Sequence, residues 1–163
     1  MIREMRRKQQ LLSMEESISI LNRTTSGVLA VTGDDGYPYA VPLSHVYYDN
    51  KLYFHSVLKG HKVDAILSNG KVSFCSIEQD MVIPEEYTTY FRSVIVFGKA
   101  RILEDLVEKR KAIDIFAEKF SPNHKEGRLS EIDKAFSHLL IIELVIEHIT
   151  GKESIELVKA KSC

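Results

Sequence analysis

Between Arg23 and Gly27 the hydrophobic pattern of this chain changes period, and that change limits what the chain can fold into. Upstream, Ser13-Met14-Glu15-Glu16 is a capping box: a serine hydroxyl and a glutamate three residues on satisfy donors that a helix start leaves free. Met14, Ile18 and Leu21 then recur at helical spacing, which predicts an amphipathic helix over 14–24. Downstream, Gly27-Val28-Leu29-Ala30-Val31-Thr32 is a short apolar run closed by the turn Gly33-Asp34-Asp35-Gly36. Tyr37 to Tyr48 is rich in β-branched and aromatic residues and stops at Asp49-Asn50, and Leu52 to Ser56 is a third strand. The three read as an antiparallel meander. Pro38 and Pro42 cannot donate to a ladder, so the second strand is at an edge, at a bulge or at a barrel corner.

The remainder continues in the same vein. Lys62 to Leu67 turns helical for about two turns and stops near Asn69-Gly70. Strands are expected at about 71–78 and 89–103, with a polar loop between them holding Gln79, Asp80, Pro84, Glu85 and Glu86. Leu106, Ile113, Phe116, Ala117 and Phe120 mark one face of an inserted helix over 104–120, which Ser121-Pro122-Asn123 ends. His138 to Thr150 is a long apolar strand. Five or six strands at short intervals, with helices inserted among them, predict a mainly β protein with peripheral helices, built as an antiparallel Greek-key barrel rather than a parallel sheet. The 163 residues read as a single domain, with the barrel over about 26–152. A chain of this length buries roughly 70% of its unfolded surface without staples.

Charge and cysteine usage exclude several classes. With 22 basic and 23 acidic residues the formal charge is -1, which argues against a nucleic-acid binder; Arg3, Arg6, Arg7 and Lys8 form a short basic cluster only. No apolar stretch approaches the ~20 residues of a membrane span, and the charged N-terminus shows no signal-peptide pattern. The expectation is a cytoplasmic protein with no membrane partner. Cys75 reads as a buried core thiol and Cys163 as part of a disordered end, with no disulfide between them and no metal spacing.

The stretch that carries chemistry runs from Leu52 to Leu67: strand, then Ser56-Val57-Leu58-Lys59-Gly60-His61-Lys62, then helix. A helix start offers free amides and the positive end of its dipole, and a preceding glycine lets the backbone approach a ligand closely. Lys59, Lys62 and a protonated His61 would add positive charge there. Two readings are open, a pocket for a terminal phosphate and a solvated basic turn. His55 is likewise open between a site role and a strand histidine bonded to backbone. His45 and His148, in apolar strands, read as structural, and Tyr47 and Tyr48 as core or interface residues. The acidic loop from Glu78 to Glu86 lacks a histidine partner and reads as a solvated connection, not a metal site.

The segment Tyr53-Phe54-His55-Ser56 followed by Gly60-His61-Lys62 resembles the FMN-phosphate segment of the pyridoxamine phosphate oxidase superfamily, more narrowly its nitroimidazole-resistance (Nim-like) branch. Arg6-Arg7, Gly36 to Leu43, Arg92-Ser93-Val94 with Gly98-Lys99-Ala100, and Ile146 to Lys152 are similar to further segments of that branch in the same order. The resemblance thus spans about Arg6 to Lys152. It implies an FMN-binding split barrel that works as a homodimer with FMN at the subunit interface. It places Lys62 and His61 at the phosphate, His55 and Ser56 against the ribityl chain or ring, Val41, Pro42 and Leu43 beside the isoalloxazine, and Ser93 at the cofactor. His55 is the residue it would assign to the chemistry. Two features depart from the pattern: His61 stands where arginine or lysine is usual, and no tryptophan or arginine-bearing tail of the true oxidases is present.

The function so implied is an FMN-dependent oxidoreductase that passes electrons from a nicotinamide donor to a small acceptor such as a nitroimidazole. The competing readings are a haem-binding or haem-degrading split barrel, with His45, His55 or His148 as axial ligand, and a flavin-binding protein without turnover.

Overall fold

The Ser13 hydroxyl accepts from the Glu16 amide at 3.1 Å and the Glu16 carboxylate accepts from the Ser13 amide at 3.1 Å, so helix α1 (Met14–Arg23) begins where the capping box places it. The computed structural model describes residues 2–161, and the expectation for Cys163 lies outside them. After α1 come β1 (Ser26–Thr32), β2 (Pro38–Ser44), β3 (Val46–Tyr48) and β4 (Lys51–Val57). Helix α2 (His61–Ser68) and the long strands β5 (Lys71–Ile83) and β6 (Thr88–Ile102) follow. Helices α3 (Leu106–Phe120) and α4 (Lys125–Ala135) precede β7 (Leu139–Glu153) and α5 (Ile155–Ala160).

All strand pairings are antiparallel, in the order β2-β1-β5-β6-β7-β4-β3. The two outermost strands, β2 and β3, are consecutive in the chain and separated only by His45. Residues 38–48 therefore run from one edge of the sheet to the other, which brings the edges together as a split barrel with its corner at His45. This explains the two prolines. β2 pairs on one side only, with β1, so Pro38 and Pro42 occupy an edge strand that can spare their missing donors. It also explains why there are seven strands rather than five or six: the Tyr37–Tyr48 run is cut in two. The β3–β4 turn places Asp49 and Asn50 at φ 47° and 60°, the primed turn whose twist matches a two-residue hairpin.

Two further expectations are corrected. Gln79 to Ile83 belong to β5, not to a loop, because Met81, Val82 and Ile83 pair with Tyr90, Thr89 and Thr88 across the hairpin, and cross-strand partners outweigh polar composition. Cys75 is half-buried on the outer face of β5, since Val72, Phe74 and Ser76 take the inward positions. Helices α4 and α5 went unpredicted; neither has a side-chain cap, and α4 buries only Ile132.

Leu29, Phe54, Phe74, Val94, Val96, Ile142 and Leu144 fill the barrel, closed by Ile20 and Leu21 of α1 and Val63 and Ile66 of α2. A second core lies outside the barrel, where Ala112, Ile113 and Ile132 of α3 and α4 cover Val46, Tyr53 and Ile141. Beside it the buried Glu143 accepts from Lys51 at 3.0 Å, Arg101 at 2.8 Å and Tyr53 at 3.3 Å, so its charge is fully met.

His45 at the corner is completely buried, and its Nε2 donates to the Leu21 carbonyl at 3.0 Å, tying α1 to the barrel. Burial, reinforced by the charge of Lys119, holds the imidazole down at about 4. The unfolded chain therefore binds a proton between pH 6.5 and 4 that the folded chain refuses, so this stability is complete above pH 6.5 and is lost as pH falls toward 4. We expect His45 alone to account for a loss on the order of 3 kcal/mol between pH 7 and pH 4. Urea unfolding at both pH values measures it, and a His45→Gln protein with the same acid loss would refute the assignment.

Candidate functional site

Strand β4 sends successive side chains to opposite faces, so Ser56 points into the barrel while His55 points outward beside its partner Ile141. The Ser56 hydroxyl is buried and has no hydrogen-bond partner. A buried hydroxyl left unpaired is costly, and it is the kind of group a ligand completes. His55 meets the ring of Phe116 edge-on, with centroids 4.9 Å apart and planes at 85°. Partial burial, and next the nearby charge of Lys62, hold the His55 imidazole below its ordinary value.

The strand ends at Val57, and Gly60 turns the chain at φ 137°, a conformation that side chains rarely adopt. Helix α2 starts there without a side-chain cap; its first carbonyl, from Gly60, accepts from Val63 at 2.9 Å and Asp64 at 3.1 Å. The amides of His61 and Lys62, ahead of these bonds, and the positive end of its dipole are open to an anion. Among the described residues no carboxylate pairs with Lys62 or Lys59. His61 is engaged elsewhere: its ring stacks on Tyr39 at 4.3 Å and its Nε2 accepts from the Asp34 amide at 3.3 Å. That contact fastens the start of α2 to the β1–β2 turn and to β2.

The other residues singled out in the sequence fall in two places. Val41 and Leu43 pack inward against the barrel core and Pro42 faces out, two to four residues beyond Tyr39, so β2 lies next to the start of α2. Ser93 does not join them within one chain. It pairs with Lys152 on β7, whereas His55 pairs with Ile141, so eleven positions (152 − 141) separate the two rows, roughly 35 Å of strand at ~3.3 Å per residue. Ser93 sits instead on an outer face with Ile77, Ile95 and Phe97, all exposed, and with Val28 and Cys75 beside them. Sequence reading missed Tyr39, Asp34 and Phe116 as neighbours of the site. Phe116 was legible only as part of an apolar helix face, and nothing local says which strand that face covers. Among the described residues no cluster of metal-ligating side chains exists and no helix is long and apolar enough to cross a membrane.

A family model described as pyridoxamine 5'-phosphate oxidase matches residues 13–153. No curated protein matches the chain. Among solved structures, the conserved protein Rv2991 from Mycobacterium tuberculosis is similar with a TM-score of 0.81 at 18% identity, covering 94% of this chain and 92% of that one. A candidate 5-nitroimidazole antibiotic resistance protein from Bacteroides thetaiotaomicron gives 0.74 at 23% identity, over 88% and 86% of the two chains. A FAD-binding protein from Mesorhizobium loti gives 0.63 at 26% identity, over 89% and 97%.

Proposed function

This chain belongs to the pyridoxamine 5'-phosphate oxidase family, and from that premise we propose that it is an FMN-dependent reductase of small acceptors such as nitroimidazoles, working as a homodimer. The observation that carries the reading is the β4–α2 junction: an uncapped helix start after Gly60, Lys62 without a carboxylate partner, and the orphaned buried hydroxyl of Ser56. These groups fit a flavin that ends in a single phosphate dianion. The similarity to a FAD-binding protein supports a flavin in this fold, and the similarity to a resistance protein supports the nitroimidazole class.

A bound flavin supplies the redox chemistry, accepting electrons from a reduced nicotinamide and delivering them to the acceptor. The residues of the chain do the rest. Lys62 and the free amides at the start of α2 would offset the phosphate charge, Ser56 would find in the bound group the hydrogen-bond partner it lacks, and the β2 edge at Val41, Pro42 and Leu43, where Pro42 faces out, would give an apolar border that excludes water. His55, on the outward face of β4, would offer its ring nitrogens to the bound group. Oxidation of a nicotinamide donor by the FMN-loaded protein, dependent on added nitroimidazole and accompanied by its reduction product, is the test; no product would contradict the reductase reading.

The distance between Ser93 and His55 supports the dimer. If both line one flavin, they come from different protomers. The outer face around Ile95 is apolar, with small residues Ala30, Ser73 and Cys75 between the larger ones, a surface that a second copy can approach closely. Ile95→Asp is expected to convert the dimer to a monomer in light-scattering measurements and to weaken FMN binding about tenfold. A dimer that survives the charge would place the interface elsewhere.

A further inference from the structure

Helix α3 does not close evenly over the sheet. Near its middle Ala112 and Ile113 are buried against the outer faces of β3, β4 and β7. Toward its C-terminal end the small Ala117 leaves a cleft of about 170 Å³, lined by His55, Ile113, Phe116, Ala117, Leu139 and Ile141. Ile113, Phe116 and Ala117 form its roof, being three and four residues apart on one helix face. The β4–β7 pair His55 and Ile141, with Leu139 two rows along on the same face, forms its floor.

The lining is apolar except for one group. His55 is the residue that this cleft and the β4–α2 junction have in common: it touches Phe116 on one side and feels the charge of Lys62 on the other. Ligand pockets have this composition, an apolar wall with a few placed polar groups. The volume is well below the ~300–1,000 Å³ of pockets for drug-sized molecules, which limits the occupant to about one ring. Phe116 is already stacked on Phe120, with centroids 4.8 Å apart and planes at 12°, so its orientation is fixed before a ligand arrives.

We propose that this cleft is the acceptor subsite, that it takes a single-ring, largely apolar heteroaromatic molecule, and that Phe116 determines which ring is accepted. The assignment of the occupant as electron acceptor rests on the flavin reading above; the binding site itself does not. The cleft is made by this chain alone, so a ring binds there whether or not flavin is present.

The test is a titration of the full-length protein with 2-methyl-5-nitroimidazole, followed by NMR of the Ile113, Ala117, Leu139 and Ile141 methyl groups, with FMN and without it. We expect those methyls to shift in both states. Ala117→Leu, which fills the cleft, and Phe116→Ala, which removes its wall, are each expected to weaken probe binding tenfold or more. Ala117→Leu should leave the FMN Kd within about twofold of the parent, and both variants should keep the fold intact by circular dichroism. Methyls that do not respond, or a probe affinity indifferent to both variants, would overturn the subsite. FMN binding is measured separately by absorbance, so loss of the flavin reading with the probe still seated would leave the subsite standing and only its role as acceptor site refuted.

Discussion

Lys62→Glu is expected to raise the Kd for FMN about 100-fold, while Lys62→Arg stays within a few-fold of the parent. Lys62 is at the second position of α2, where its ammonium and the open amides of the first turn address the same anion. A hydrogen bond to a charged group contributes roughly 1.5–3 kcal/mol. Reversing the charge removes that and adds repulsion, so about 3 kcal/mol, or 100-fold, is the expected scale. Fluorescence titration of FMN measures it. Folding stability should scarcely change, because Lys62 is half-exposed and makes no ion pair among the described residues. There is also an independent readout. The charge of Lys62 contributes to the lowering of His55, so removing it should raise the His55 titration midpoint in NMR. An unchanged FMN affinity would remove Lys62 from the cofactor site.

Lys119→Met is expected to cost about 3 kcal/mol of folding stability, or roughly 10 °C in Tm for a domain of this size. The Lys119 ammonium donates to the carbonyls of Leu21 at 3.2 Å, Thr24 at 2.5 Å and His45 at 3.2 Å, which matches its three protons to three acceptors. Two of these acceptors are at the C-terminal end of α1, where the helix dipole favours a cation, and the third is the barrel corner. One side chain of α3 thus holds the corner and α1 together. Methionine keeps most of the stem but takes the ammonium donor from the Thr24 and His45 carbonyls, while the Leu21 carbonyl keeps its bond from His45; stranded acceptors cost more than the bonds contributed. Burial pulls the ammonium down to about 8, so between pH 8 and 10.5 the unfolded chain holds a proton that the folded chain has released. Stability from this group therefore rises with pH across that window, and the rise should be missing in Lys119→Met. Thermal melts at pH 7 and 9.5 check both expectations; a variant as stable as the parent would show that solvent satisfies the three carbonyls.

How far the sequence could be read follows from how local each signal is. The capping box at Ser13, the turn at Asp49-Asn50 and the period change after Arg23 depend on neighbours a few residues away, and each element appears where they place it. The prolines of β2 indicated a corner or edge without saying which; only the pairing of residues 38–44 with β1 and 46–48 with β4 shows that both descriptions hold. The hairpin arm beyond Glu78 was misjudged because its order comes from partners on β6, across the turn. The same limit applies to the site. His55, Ser56, Gly60 and Lys62 lie within eight positions and could be seen as one unit. The attachment of His61 to Tyr39, the cover of Phe116 over His55 and the remoteness of Ser93 all depend on tertiary pairing. His45 is buried, with its Nε2 donating to a backbone carbonyl and its Nδ1 without a hydrogen-bond partner.

The central claim, that the β4–α2 junction holds FMN, is tested most directly by the visible absorption spectrum of the purified protein after FMN is added and unbound flavin removed by gel filtration. The account predicts the two bands of an oxidised flavin retained with the protein at one FMN per chain, bleached by a nicotinamide donor and lost in Lys62→Glu. A protein that retains no flavin, or that shows a single Soret band instead, would contradict it.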